Sequence, residues 1–304
     1  MRRAWLWAAG GLMLAGALLG EAAGPDTQAG AVTGGVAPVR CAPPRAGDFA
    51  ISLVSGGLRR TARVHVPPGL GAASRPPLVL VLHFGGGTGA QMEALTRFSA
   101  QADRSGFVAV YPDAVSRLWT TGARPGPDDV AFLRGMLDAL AGRVCQDPRR
   151  VYATGASNGG TMADVLACRL PDRIAAIAQV SSVGVATAGC GAAPVSVLQI
   201  HGTADPLQPY AGKPANSPGT VARLLAAWYR HDACRGTPAR SPIAGGLVLR
   251  WRPCRQGAAL EHVRLIGFGH GWPGAASPPI GGAPSRFPAT RSIWAFFAAH
   301  PRPA

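Results

Sequence analysis

Lysine is nearly missing from this chain: Lys213 is the only one among 30 basic residues, and with only 15 acidic residues the formal charge of +15 rests on arginine. A surplus of this size invites nucleic acid as a partner. The arginines (Arg59, Arg60, Arg124, Arg149, Arg150, Arg250, Arg252) are scattered, however, with no long run and no interleaved aromatics, which excludes a nucleic-acid-binding tract. No C-x-x-C pair and no His/Cys cluster occurs, which excludes a thiolate metal site and a dithiol redox motif. Beyond the first 20 or so residues no apolar run is long enough to span a bilayer. Nor is there an internal repeat or a second linker, so a repeat array is excluded and one domain is expected.

What is present begins with an export signature. Met1-Arg2-Arg3 is basic, residues 4–19 are apolar and uncharged, and Gly20-Glu21-Ala22 puts small residues where a signal peptidase reads. The apolar run falls short of the roughly 20 residues that a membrane anchor needs. Residues 1–24 are therefore expected to be a signal peptide, cleaved after Ala22 or Gly24, with residues 25–40 a flexible leader and residues 41–300 one domain. The mature chain is expected to be secreted, extracellular or periplasmic, and not inserted in the membrane.

Six cysteines, an even number, fit an oxidising compartment and favour disulfides. Cys234 with Cys254 closes a loop of about 20 residues, the length at which a cross-link contributes roughly 3 kcal/mol in the chain-entropy model. Pairing Cys168 with Cys190 leaves Cys41 with Cys145.

Along the chain, strand and helix patterns alternate. Phe49 to Ser55 and Arg60 to Val66, separated by Gly56-Gly57, read as an antiparallel hairpin. The continuous apolar run from Pro77 to His83 suits a strand buried on both faces. A helix is expected over residues 90–105, ending at Gly106, then a strand over residues 107–111 and a helix over residues 129–141 capped by Asp128. Further strands are expected from Val151 and at 174–180, 195–201 and 262–266, and helices at 158–168, 220–231 and 290–299. This alternation predicts an α/β fold, a mainly parallel central sheet with helices on both faces. Ligands then bind at the C-terminal ends of the strands.

Three such ends carry chemistry. Val151 to Gly160 reads as a strand turning into a helix through Gly155-Ala156-Ser157-Asn158-Gly159, a G-x-S-x-G motif that exposes a serine on a tight turn. A serine at its free pKa is a poor nucleophile and needs a base, which in turn needs a carboxylate to fix its tautomer. Asp205 follows the strand ending in His201-Gly202, and His270 follows the strand near Leu265-Ile266 in a glycine-rich loop. Ser157, Asp205 and His270 thus occur in the order this fold uses. His201 is expected to be structural, and Asp232 and His262 are weaker competitors for the acid and base. The negative charge developing on a substrate oxygen also needs donors. Gly85, in His83-Phe84-Gly85-Gly86-Gly87 after the first buried strand, and Asn158, at the start of the helix, are the candidate oxyanion-hole amides.

Gly155 to Gly160, His201-Gly202-Thr203-Ala204-Asp205-Pro206, Gly269 to Gly274, Asp128 to Leu133 and the spaced cysteines resemble the secreted polyhydroxybutyrate depolymerase and feruloyl esterase type B/C/D group of α/β-hydrolases. The resemblance spans about Cys41 to His300. It implies an α/β-hydrolase domain over residues 41–300, a Ser157–Asp205–His270 triad, and hydrolysis of carboxylic esters through an acyl-enzyme. The implied substrates are feruloyl or acetyl esters of plant cell-wall polysaccharide, with hydroxyalkanoate esters as the alternative. No metal or cofactor is required, and the expected partner is the ester substrate, small molecule or polymer. Two positions depart from the group: Phe84 stands where its oxyanion loop has His-Gly, and Gly271 where Thr or Ala is usual. Phe84, Trp119 and Trp272 are candidate substrate contacts, the tryptophans as stacking surfaces for a sugar or an aromatic acyl group, with core packing as the alternative. From a different class, Phe84 leaves open an exported binding or envelope protein on a hydrolase scaffold with impaired catalysis.

Overall fold

The computed structural model describes residues 44–71, 74–122, 125–184, 190–212 and 220–303. The expected signal peptide and leader lie outside these residues. Among the described residues ten strands form one sheet in the order β1-β2-β4-β3-β5-β6-β7-β10-β9-β8. They are β1 (Gly47–Ser55), β2 (Leu58–Val66), β3 (Leu78–Leu82), β4 (Val108–Pro112), β5 (Val151–Ala156), β6 (Ala176–Val180), β7 (Ser196–Gly202), β8 (Ala239–Ile243), β9 (Gly246–Trp251) and β10 (Leu260–Leu265). The central strands β4, β3, β5, β6, β7 and β10 are parallel, with β1–β2 and β9–β8 attached antiparallel at the two ends.

The sequence of β3 shows why the sheet is covered on both sides. Side chains alternate across a strand. Leu78, Leu80 and Leu82 enter a core built with α3 (Asp129–Val144), α4 (Asn158–Arg169) and α5 (Val221–His231). Val79 and Val81 enter the opposite core, built with α1 (Gly89–Thr96), α2 (Phe98–Ser105) and α6 (Ala289–Ala299). A strand with no polar face can only sit between two apolar layers. The Asp128 cap is present, its carboxylate accepting from Ala131 N–H at 2.9 Å.

Two expectations need correction. The helix over residues 90–105 is two helices, broken at Arg97 in the left-handed region (φ 55°). The break drops Phe98 into the core, edge-on to Phe107 and Trp272, and the Thr96 carbonyl it frees accepts from Thr290 Oγ1 at 2.6 Å. The β8–β9 hairpin was not expected either, because Pro242 breaks its strand pattern; proline is tolerated there because β8 is the sheet edge.

Disulfides join Cys168 to Cys190 and Cys234 to Cys254, as expected. The third expected pair involves Cys41, which lies outside the described residues; Cys145 is not a free thiol. Among the described residues no helix is long and apolar enough to cross a membrane.

Because the central strands are parallel, the loops after β3, β5, β7 and β10 emerge at the same edge. Those loops carry Gly85, Ser157, Asp205 and His270.

Candidate active site

The turn after β5 is strained. Ser157 has φ 53° and ψ −119°, a conformation that side-chain-bearing residues seldom adopt and that the surroundings must hold. Ser157 N–H donates to Val180 O at 2.9 Å, and its carbonyl accepts from Thr161 N–H at 3.0 Å. Backbone closes around the turn. A Cβ at Gly155 would lie 2.5 Å from the carbonyl carbon of Gly159, and a Cβ at Gly159 would collide with the carbonyl oxygens of Leu82 and His83. The glycines of the motif are thus required for close approach to β3. Gly159→Ala is expected to lower the unfolding free energy by about 3 kcal/mol, the upper end for overpacking, because the obstruction is backbone that cannot rotate away. Urea denaturation checks this; a variant as stable as the wild type would mean that β3 yields to the methyl group.

The loops after β7 and β10 are stitched together. Gly267 N–H donates to Thr203 Oγ1 at 2.8 Å, and Ala204 N–H to Phe268 O at 3.0 Å. This brings His270 Nδ1 to 2.8 Å from Asp205 Oδ2. An ionised carboxylate only accepts, so Nδ1 carries the proton and Nε2 is left as the basic nitrogen. The other oxygen, Oδ1, accepts from Leu207 and Gln208 N–H at 2.9 and 2.8 Å. Burial acts against ionisation of Asp205, but the donors from His201, His270 and Gln208 outweigh it and hold the carboxyl well below the usual carboxylate range. The backbone of His270 is pinned as well: its N–H donates to Ile280 O at 2.9 Å, and its carbonyl accepts from Ile280 N–H at 2.8 Å.

The loop after β3 faces the start of α4. A Cβ on Gly85 would meet Leu118 Cδ1 at 3.3 Å and Asn158 Cβ at 3.6 Å, so the two candidate oxyanion residues are neighbours. Asn158 N–H is the first amide of α4 and has no helical carbonyl to bond. The Phe84–Gly85 peptide is oriented through its carbonyl, which accepts from His83 Nδ1–H at 2.8 Å and Gly87 N–H at 2.9 Å. Since His83 Nε2 accepts from Ala114 N–H at 3.0 Å, the proton must be on Nδ1, and burial keeps this histidine neutral by lowering its pKa. The Asn158 side chain binds both backbone groups of Trp119, taking its N–H at 2.7 Å and giving Nδ2–H to its carbonyl at 3.2 Å. Behind it, Asp129 accepts from Thr120 N–H at 2.7 Å and forms a buried 2.5 Å ion pair with Arg60, whose guanidinium lies on the Phe132 ring.

Two of the candidate substrate contacts are corrected here. Trp119 is 2% exposed, with its indole N–H on His83 O, and Trp272 is 4% exposed, with its N–H on Thr290 Oγ1. Neither indole face is available for stacking; both hold loops to the core. Phe84 is half-buried against the α1/α2/α6 core. Beside Asn158 a groove of about 500 Å³ opens, lined by Leu118, Thr120, Thr121, Pro125 and Pro127.

The family model described as "Esterase PHB depolymerase" matches residues 61–213, about half of the chain, from β2 past the Asp205 loop. A putative esterase of Nocardia uniformis, NocK, is 35% identical over 259 residues, covering 74% of each chain. The chain belongs to the esterase PHB depolymerase family. As a member it is a carboxylic ester hydrolase. It is also similar to feruloyl esterase B of Piromyces equi, at 27% identity over 69% of this chain and 42% of that one, so it spans less than half of that relative. Among solved structures, an acetyl xylan esterase from Aspergillus awamori superposes with a TM-score of 0.59 at 16% identity over 73% of this chain and 94% of the other, in keeping with an α/β-hydrolase fold.

In this family member two further residues touch the site, His201, which was expected to be structural, and one that the sequence does not single out. His201 Nε2 donates to Gln208 O at 2.8 Å and lies 3.3 Å from Asp205 Oδ2, so it backs the acid loop as well as the core. Its place four residues before Asp205 was the available signal. The second is Ser181, which belongs to no motif. Asp232 is paired with His231 and His262 with Tyr210, and neither contacts His270.

Proposed function

We propose that this esterase acts through an acyl-enzyme on Ser157. In the first step Ser157 Oγ attacks the ester carbonyl carbon while His270 Nε2 takes its proton. The carbonyl oxygen, now negative, is met by the amides of Gly85 and Asn158. Collapse of the tetrahedral species breaks the bond to the alcohol, which leaves with the proton from His270, and water repeats the sequence to release the acid. The observation that supports this reading is the 2.8 Å contact between His270 Nδ1 and Asp205 Oδ2, which leaves Nε2 as the basic nitrogen of a histidine whose loop emerges at the same sheet edge as the strained serine turn.

For the acyl group we propose an aromatic acid of the feruloyl type, esterified to plant cell-wall polysaccharide, ahead of acetyl. Three of the exposed large apolar side chains border the site. They are Leu118 (49% exposed) beside Gly85, Leu207 (52%) on the Asp205 loop and Ile280 (57%), paired through its backbone with His270. An acetyl group is too small to use that surface, whereas an aromatic acid in the adjoining groove would lie against Leu118. The Piromyces relative is named for feruloyl esters, and a bifunctional acetylxylan esterase/xylanase of Neocallimastix patriciarum is named for xylan.

Initial rates on methyl ferulate, acetylated xylan and hydroxybutyrate oligomers test the reading, with methyl ferulate expected to give the highest kcat/KM. Fastest turnover of hydroxybutyrate oligomers would favour the polyester alternative. Absence of turnover on all three would favour an exported binding protein on this scaffold. Export is part of the proposal, supported by the two disulfides. N-terminal sequencing of protein from culture medium or periplasm is expected to begin at Ala23 or Pro25.

A further inference from the structure

Ser181, the residue after β6, has φ 49° although it carries a side chain. Glycine is the residue suited to that conformation. The chain holds 41 glycines and places them at comparable turns such as Gly267 and Gly274, yet here it keeps a serine. The Ser181 side chain is fully buried, and its hydroxyl is committed to one residue. Oγ–H donates to Gly271 O at 2.9 Å, and Oγ accepts from Gly271 N–H at 3.2 Å.

Gly271 follows His270, and on its other side Ser181 adjoins the serine turn, since Val180 O accepts from Ser157 N–H. Ser181 N–H donates to Ile200 O at 3.0 Å, so the residue is also fixed to β7, the strand that leads to Asp205. One hydroxyl therefore ties the residue after His270 to a residue that adjoins both the serine turn and β7. Ile280 fixes His270 only to its own loop. Ser181 fixes that loop to the serine turn.

We infer that Ser181 is a positioning residue that sets the placement of His270 relative to Ser157, and that its backbone strain is retained for this purpose. This inference rests on the proposed roles of Ser157 and His270. Positioning errors of about 1 Å can cost on the order of 100-fold in rate without touching the reacting groups.

Ser181→Gly removes the hydroxyl and the strain together, which separates positioning from stability. With a p-nitrophenyl ester, kcat is expected to fall roughly 10- to 100-fold while KM stays within about twofold of wild type. The melting temperature is expected to fall less than in Ser181→Ala, because relaxation of glycine at this φ offsets part of the lost hydrogen bonding to Gly271. Ser181→Ala, which keeps the strained backbone, is expected to show the same loss in kcat with a lower melting temperature. A purely structural serine would lower stability and leave kcat per folded molecule intact. Wild-type kcat in Ser181→Gly overturns the inference, whether or not Ser181→Ala folds. Wild-type protein that neither turns over the ester nor reacts with a serine-directed phosphonate would instead overturn the reading of Ser157 and His270.

Discussion

Ser157→Ala is expected to lower kcat on p-nitrophenyl acetate by about 10⁶-fold, the scale seen when a serine nucleophile is deleted. The substitution removes one oxygen. The Ser157 side chain makes no capping bond to α4, so the turn loses no hydrogen bond that supports the fold. Alanine tolerates φ 53° no better than serine does, and no worse. Stability should therefore stay within about 0.5 kcal/mol of wild type, as for substitutions that break no structural feature. The loss belongs to chemistry, not to folding. Asp205, His270 and the amides of Gly85 and Asn158 survive in this variant, so a residual acceleration over water of about 10³-fold is expected to remain. Full activity in folded Ser157→Ala would require another nucleophile.

Asp205→Asn has the second largest expected effect, a fall in kcat of about 10⁴-fold. The carboxylate accepts the His270 Nδ1 proton. An amide at that place can turn its NH₂ toward Nδ1 and accept nothing, which moves the imidazole proton to Nε2, the nitrogen that must take the proton of the serine. The same substitution carries a stability signature with a fixed sign. The folded-state carboxyl is held below its ordinary value of 3.8 despite burial, so its contribution is complete above about pH 4 and drains away as the pH falls below that. The stability gap between wild type and Asp205→Asn, measured by urea titration, should be constant from about pH 5 to 7 and narrow on acidification. A gap that widened below about pH 4 would mean that the carboxyl is not stabilised in its charged form.

The parts of this molecule that a sequence displays are those repeated along the chain or crowded by geometry. β3 reads as doubly buried because five successive apolar residues leave it no polar face. The turn at Ser157 is visible because Gly155 and Gly159 have no room for a side chain. Asp205 and His270 stand at strand ends in an order that the parallel sheet converts into contact. What stays hidden depends on which way a side chain turns. Trp119 and Trp272 sit in glycine-rich loops next to chemistry, and nothing local says that both indoles are folded inward onto His83 and Thr290. Arg97 lies in a run with helical spacing, and the break there is imposed by burial of Phe98 from outside the run. Ser181 is unreadable for the same reason: its partner Gly271 is 90 residues away.

Intact-mass analysis after a serine-directed fluorophosphonate, followed by peptide mapping, bears directly on Ser157 as the acyl-accepting residue. One adduct per chain is expected, confined to the peptide containing Ser157, absent from Ser157→Ala, and formed in parallel with loss of esterase activity. An adduct on another residue, or unchanged activity after complete labelling of Ser157, would show that the nucleophile lies elsewhere.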